Sequence, residues 1–406
     1  MNGFSHGLPN TKDRAITLGI ALFIALATIS NTVTTLTSYA AITAVRVLLC
    51  VLIALAVLFV LIAQGINFRQ LVAVLLFTTM TAFGAVAAAF NLVSDIGLAS
   101  LFVDWAIITA GLCLIFADRF SPWPTRLARW FVSYALIVVL LTFFLGGINF
   151  DPVPRFNLEY GSELIGRDEN YSLGISFFFG FASIAALLAT KEPGGRREKV
   201  FFQVCCFAFL LLSFIGGGRG EFAAAALILA VILMSFGAMP TFVALLVAGL
   251  VVSVLGIAAS DVFEQFAVLE RFRLLFEGDL SSRDLLLLDA INLLSDNPRC
   301  LLFGCGFGFF QSYHMYDKGL YPHNSIVEAV IVFGLPVVLV VGALFLRGLY
   351  LYLRSKKSFD LILGFTLYSG LVSLKSQYLY SCWIFMVSVF YFSSLALPSR
   401  RFMLER

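Results

Sequence analysis

Apolar residues fill this chain in repeated runs of about 20, the number a helix needs to cross the hydrocarbon core of a bilayer. The runs fall near 16–35, 42–63, 71–92, 97–117, 129–149, 172–190, 200–216, 221–237, 240–259, 324–346, 359–376 and 378–397. Short breaks separate them, the weakest boundary being the glycine-rich one at 216–221. Two polar stretches are longer, 150–171 and 260–323. The pattern predicts an all-α polytopic integral membrane protein of about twelve spans. It forms one membrane domain over 1–406, with an external loop at 150–171 and an external helical loop at 260–323 holding re-entrant or surface helices. The first run follows a short polar start without a small-residue cleavage site, so it is expected to stay as a helix rather than leave as a signal peptide.

Charge sets the orientation. The segments expected on one side hold Lys12, Arg14, Arg69, Arg119, Arg126, Arg129, Lys191, Arg196, Arg197, Lys199, Arg347, Arg354, Lys356, Lys357, Arg400, Arg401 and Arg406, which is 17 of the 27 basic residues. Because positive loops stay cytoplasmic, that side is the inside, both termini are internal, and the two long segments are external. Composition agrees with a membrane chain: 60% of residues are hydrophobic, 13% are charged, and mean hydropathy is +0.97. A soluble domain carries about 25% charged residues. The net charge of +3 is small and evenly spread, which excludes a nucleic-acid partner.

Charged groups within spans are costly and mark cavities or pairs. Arg46, Asp104, Glu328 and Lys375 all fall in the outer half of their spans, and Arg219, Arg283 and His323 lie at the same level or in the adjoining loop. A polar cavity opening outward explains that bias. An Arg46–Asp104 pair tying two helices together accounts for those two residues alone.

The stretch Phe214 to Leu229 places Arg219 behind three glycines and at the start of a helix. A guanidinium fork beside bare backbone and a helix N-terminus suits a phosphate or diphosphate; the alternative is a charged hairpin. The external segment opens with Val262, Phe263, Phe266, Leu269 and Phe272 at helical spacing, as in a helix on the membrane surface. Ser281 and Asp284 then resemble a capping box, and Asn297-Pro298 stops the helix. Arg283 in that first turn opposes the helix dipole, so it either awaits an anion or pairs with Asp279 or Asp284. The stretch Leu301 to Tyr313 reads as a tight glycine turn packing a re-entrant segment, not as a dinucleotide fingerprint.

His323 then opens the run 324–346. Only His314 lies near it, and no acidic cluster or Asp-x-Asp accompanies them, so neither a metal nor another cofactor is expected. A neutral imidazole can take the proton of a sugar hydroxyl, and arginines beside it favour that neutral form while neutralising a departing diphosphate. Pro322 presets the turn, and Asn324 and Glu328 share a helical face able to orient a hydroxyl. A histidine anchoring the helix at the interface is the plainer reading. Cys50, Cys113, Cys205, Cys206 and Cys382 sit in apolar runs as filler, whereas Cys300 and Cys305 share one loop and could bridge in an oxidising compartment.

Four pieces in order, GGGRGE, SSRDLLLLDAI, DNPRCLLFGCGFGFF and PHNSIVEAVIVFGLP, resemble the O-antigen ligase and O-antigen polymerase superfamily of bacterial envelope enzymes over roughly residues 205–345. The resemblance implies metal-independent, inverting transfer of a glycan from undecaprenyl diphosphate to an acceptor hydroxyl outside the cytoplasmic (inner) membrane. It makes Arg219 and Arg283 diphosphate binders and His323 the base or acceptor-orienting residue. Its partners are a lipid-linked glycan, an acceptor glycan (a lipid-linked repeat unit or lipopolysaccharide core), membrane lipid and a chain-length regulator. Many ligases carry His-Ala-His-Asn where this chain has Tyr-Pro-His-Asn. Arg155 and Gly166, with ten residues between them in the first external loop, match a pattern of the polymerases. Arg155, Arg46, Asn324, Glu328 and Lys375 complete the expected substrate-binding set. These features favour a polymerase over a ligase, and over a lipid-linked sugar flippase, which needs polar groups at the midplane or on both sides.

The orientation is testable. Cysteines introduced at Ser162 and Gln311 should react with an impermeant thiol reagent in intact spheroplasts. Labelling confined to inverted vesicles would reverse the topology.

Overall fold

The computed structural model describes residues 68–93, 98–115, 123–144, 148–149, 155–156, 173–191, 194–216, 218–237, 282–317, 320–355, 359–375, 378–380 and 382–397. The described chain is helical except for one short antiparallel pairing, β1 (Ile148–Asn149) with β2 (Arg155–Phe156). Before it come α1 (Phe68–Phe90), α2 (Leu98–Ile115) and α3 (Trp123–Phe144). After it come α4 (Leu173–Ala189), α5 (Arg196–Ile215) and α6 (Arg219–Ser235). The later helices are α7 (Ser282–Asp296), α8 (Pro298–Phe303), α9 (Phe309–His314), α10 (Ser325–Phe333), α11 (Leu335–Ser355), α12 (Leu361–Ser373) and α13 (Trp383–Ala396). Of the described helices three, α1, α5 and α11, are long and apolar enough to cross a membrane. The runs expected at 16–35, 42–63 and 240–259, and the surface helix expected near 261–272, lie outside the described residues.

Two helices form the middle. Helix α4 is apolar on every side, and a helix of that kind is buried all round. Phe178, Phe179 and Phe181 are sealed in it, and it packs against α3, α5, α6 and α12. Helix α13 plays the same part for α1, α2, α11 and α12. Helix α12 touches both and joins the two halves. Hydroxyls are tolerated in this interior because they bond their own helix: Ser183 to the Gly180 carbonyl, Ser369 to that of Phe365, Ser388 to that of Ile384. Others reach across as interhelical glue, Thr366 to Ser388 at 2.9 Å and Trp105 to Thr78 at 3.1 Å.

The outer faces are inverted relative to a soluble protein. Val204 on α5 is 61% exposed, and Val340 and Leu346 on α11 are 61% and 63% exposed. Apolar faces of this extent belong against lipid.

One expectation needs correction. The run 324–346 is two helices rather than one span: α10 ends at Phe333, and α11 starts at Leu335. Gly334 between them has φ +83, in the left-handed region that favours glycine. A side chain there would also meet the Leu302 carbonyl at 2.6 Å. Pro336 reinforces the break because it has no N–H to continue the helix. Nine residues rise only about 14 Å, so α10 is too short to cross a bilayer.

The glycine loop before it packs that short helix from below. Cys305 N–H donates to the Ile331 carbonyl at 2.7 Å, Gly306 to that of Val332 at 3.2 Å, and Phe307 to that of Gly84 at 3.3 Å. Cys300 and Cys305 form a disulfide with Cα atoms 4.9 Å apart. They lie in a small second core with Leu286, Ala290, Leu293, Phe310 and Ile331, which holds α7, α8 and α9 against α10. Asn297-Pro298 does separate two helices, α7 and α8. Tyr316 donates to Asp289 at 2.7 Å, and that bond, with burial, holds the phenol above its ordinary pKa.

Close backbone contact is the testable feature of this packing. A Cβ on Gly348 of α11 would overlap the Phe392 carbonyl of α13. Gly348→Ala should therefore cost roughly 1–3 kcal/mol or more by overpacking and lower the thermal midpoint in detergent. Gly342→Ala on the same helix faces open space and should leave the midpoint unchanged.

Candidate functional site

One end of the bundle gathers polar groups from six helices. Gly218 N–H donates to Ser176 Oγ at 2.9 Å, and Ser213 Oγ donates to the Ser176 carbonyl at 2.8 Å. Those bonds tie the start of α6 and the end of α5 to the start of α4. Lys375, just past the end of α12, lays its ammonium against Gly220 in the first turn of α6. The α12–α13 connector then meets α10. Asn324 Nδ2 donates to the Leu374 carbonyl at 3.0 Å, and Leu379 N–H donates to Glu328 Oε2 at 2.7 Å. Tyr380 and Thr81 share a hydroxyl–hydroxyl bond of 2.8 Å, bringing in α1.

His323, next to Asn324, has φ 54, one of three non-glycine residues in the left-handed region among the described ones. Histidine is one of the few side chains enriched there, and such backbone clusters at functional sites. Its ring lies 4.1 Å from that of Tyr321, which meets Tyr378 edge-on at 5.6 Å. Asn324 follows as the N-cap of α10, its Oδ1 accepting from Ile326 N at 3.0 Å and Val327 N at 3.1 Å.

Helix α6 begins without a side-chain cap. Gly218 leaves room for two neighbours: a Cβ there would meet Ser176 Cβ at 2.6 Å and Glu221 Oε2 at 2.7 Å. Glu221 is wholly buried, and among the described residues neither of its oxygens has a hydrogen-bond partner. Tyr368, also wholly buried, donates to the Phe177 carbonyl at 3.2 Å.

The expected site residues fare differently. His323, Asn324, Glu328 and Lys375 come together at this end, and Arg219 opens α6 beside them. Arg283 opens α7, which packs on α10. Arg155 sits in β2. The side chains of these three arginines lie outside the described residues, as does all of Arg46. Asn324 and Glu328, expected to orient a hydroxyl, are each bonded to the backbone of the α12–α13 connector. The sequence reading missed Glu221, Tyr321, Tyr378 and Ser176. Glu221 stood in the GGGRGE stretch and Tyr321 before Pro322, while nothing in the sequence joined Ser176 or Tyr378 to the site.

Compared with known proteins, the chain matches no family model, no curated protein and no solved structure. Its function therefore rests on the chemistry of these residues.

The α10 anchor makes a graded prediction. Asn324→Ala should destabilise the protein by about 2 kcal/mol, about one for the cap and about one for the Leu374 tether. Asn324→Asp keeps the cap acceptor and loses the donor, so its loss should be about half, read as denaturation midpoints in detergent. Equal losses for both variants would show that the cap contributes nothing.

Proposed function

We propose that this chain is a bacterial envelope polysaccharide polymerase that joins undecaprenyl-diphosphate-linked repeat units of O-antigen, capsule or exopolysaccharide. The observation that carries the reading is a chain of contacts at one end of the bundle: Asn324, next to His323, is bonded to the Leu374 carbonyl, and the neighbouring Lys375 rests on Gly220 in the first turn of α6, which begins at Arg219. An imidazole beside cations is suited to proton transfer next to an anionic leaving group. The reading places about twelve helices in the inner membrane, both termini in the cytoplasm and this end in the periplasm. The Cys300–Cys305 disulfide supports that orientation, since such bonds persist in oxidising compartments. So does the far end, where Arg196, Arg197 and Lys199 start α5 and Glu198 pairs with Arg129 at 2.7 Å.

In this reading Arg219, Arg283 and Lys375 hold the donor's diphosphate, and Arg155 serves the second lipid-linked substrate. The acceptor hydroxyl passes its proton to His323 as its oxygen attacks the anomeric carbon. The bond from that carbon to the phosphate oxygen breaks, its electron pair leaves with the diphosphate, and the configuration inverts. Residues of the chain do all of this, with no cofactor called for.

Arg219→Ala, Arg283→Ala and His323→Ala should each abolish polymer formation while the protein still accumulates in the membrane. A positioned acid or base contributes about 10²–10⁴-fold, and Arg219→Lys should be poor if fork geometry matters. Normal polymer from His323→Ala at wild-type expression would remove the catalytic role. Deleting the gene should leave glycan no longer than one repeat unit, or no capsule, with single lipid-linked units building up. Long lipid-linked polymer behind an uncapped core would identify the ligase instead.

A further inference from the structure

A carboxylate is out of place in a site built only for an anion. Glu221 lies two residues from Arg219 and next to Gly220, where the Lys375 ammonium rests. Like charge would repel a bound diphosphate. Burial raises the cost further, because a desolvated carboxylate without hydrogen bonds destabilises a fold by several kcal/mol. In α6 the usual relief is missing. A glutamate at the third helical position can reach back to the cap N–H, but the Gly218 N–H is already given to Ser176 Oγ. Both Glu221 oxygens are thus without a hydrogen bond among the described residues.

Its surroundings leave a way in. Gly220, next to Arg219, keeps its backbone bare, and the group over it is the ammonium of the exposed Lys375 side chain. An anion held by that ammonium would lie one residue from Glu221 in the first turn of α6.

We propose that Glu221 is a substrate-binding residue whose carboxylate accepts a hydrogen bond from a sugar hydroxyl of the glycosyl diphosphate. The ligand this arrangement fits carries both an anion and hydroxyl donors: the anion goes to the cations, and a hydroxyl beside it goes to Glu221. The inference rests on the polymerase reading, and it adds how the site tells a sugar-bearing diphosphate from a bare one.

Glu221→Gln provides a test with effects of opposite sign. Removing the charge should tighten binding of inorganic diphosphate several-fold, measured calorimetrically on purified protein in detergent. It should raise the thermal midpoint, because a buried charge is gone. It should also cut polymer synthesis in a complemented deletion strain by roughly 10–100-fold, the loss expected for one hydrogen bond to a charged group. Glu221→Asp should recover part of the synthesis. A lower midpoint for Glu221→Gln together with unchanged diphosphate affinity would make Glu221 a structural residue and overturn the proposal. Wild-type synthesis by Glu221→Gln would overturn it too, with the polymerase reading intact. If the wild-type gene itself makes no polymer, the polymerase reading falls, while the diphosphate and stability measurements still decide whether Glu221 faces an anion site.

Discussion

The bond from Leu379 N–H to Glu328 Oε2, 2.7 Å long, carries more of this architecture than any other contact. It joins a short helix that does not cross the bundle to the connector between two central helices. A backbone donor left unsatisfied in an apolar interior costs about 1–3 kcal/mol, so α10 and the connector constrain each other. Several neighbouring contacts involve the same two segments. Asn324 repeats the tie at Leu374, Tyr378 reaches the Tyr321 ring, Tyr380 reaches Thr81, and Lys375 crosses to α6.

Glycine and serine make the approach possible elsewhere. Gly348 lets α11 touch the α13 backbone, and Gly180 makes room for the Tyr368 hydroxyl. Apolar burial gives little drive for helices to associate within lipid, where close packing and interhelical hydrogen bonds take over. That is why a chain so poor in charge keeps a defined interior: small residues and hydroxyls set specific contacts, while Val204 on α5 and Val340 and Leu346 on α11 face outward.

The site end shows a division of labour. Asn324 and Glu328 are polar groups with structural partners, and their bonds present His323 in a left-handed backbone next to Tyr321. Glu221 is the opposite case, polar and buried with no bonded partner among the described residues. Groups of the first kind build the site, and Glu221 is the group that the proposal gives to a ligand.

The order of apolar runs is written in the chain because a helix that crosses a bilayer needs about 17 or more consecutive, mostly apolar residues. Eight of the predicted runs accordingly coincide with α1 to α6, α12 and α13 to within a few residues. The helix stop at Asn297-Pro298 was equally local. The break at Gly334 was harder to see, since an apolar run looks the same whether one helix or two cross it. What decides it is the Leu302 carbonyl and the Cys305 and Gly306 donors, which come from another loop. The site follows the same rule. Arg219 and His323 stood out by residue type and flanking glycine or proline. The engagement of Asn324 and Glu328, the rest of Lys375 on Gly220 and the isolation of Glu221 depend on residues 40 to more than 150 positions apart in the chain. Sequence by itself determined the helices, because their signal is periodic and local. Only the tertiary structure decided which polar groups are already bonded and which are left for chemistry, because a hydrogen bond depends on where two atoms meet.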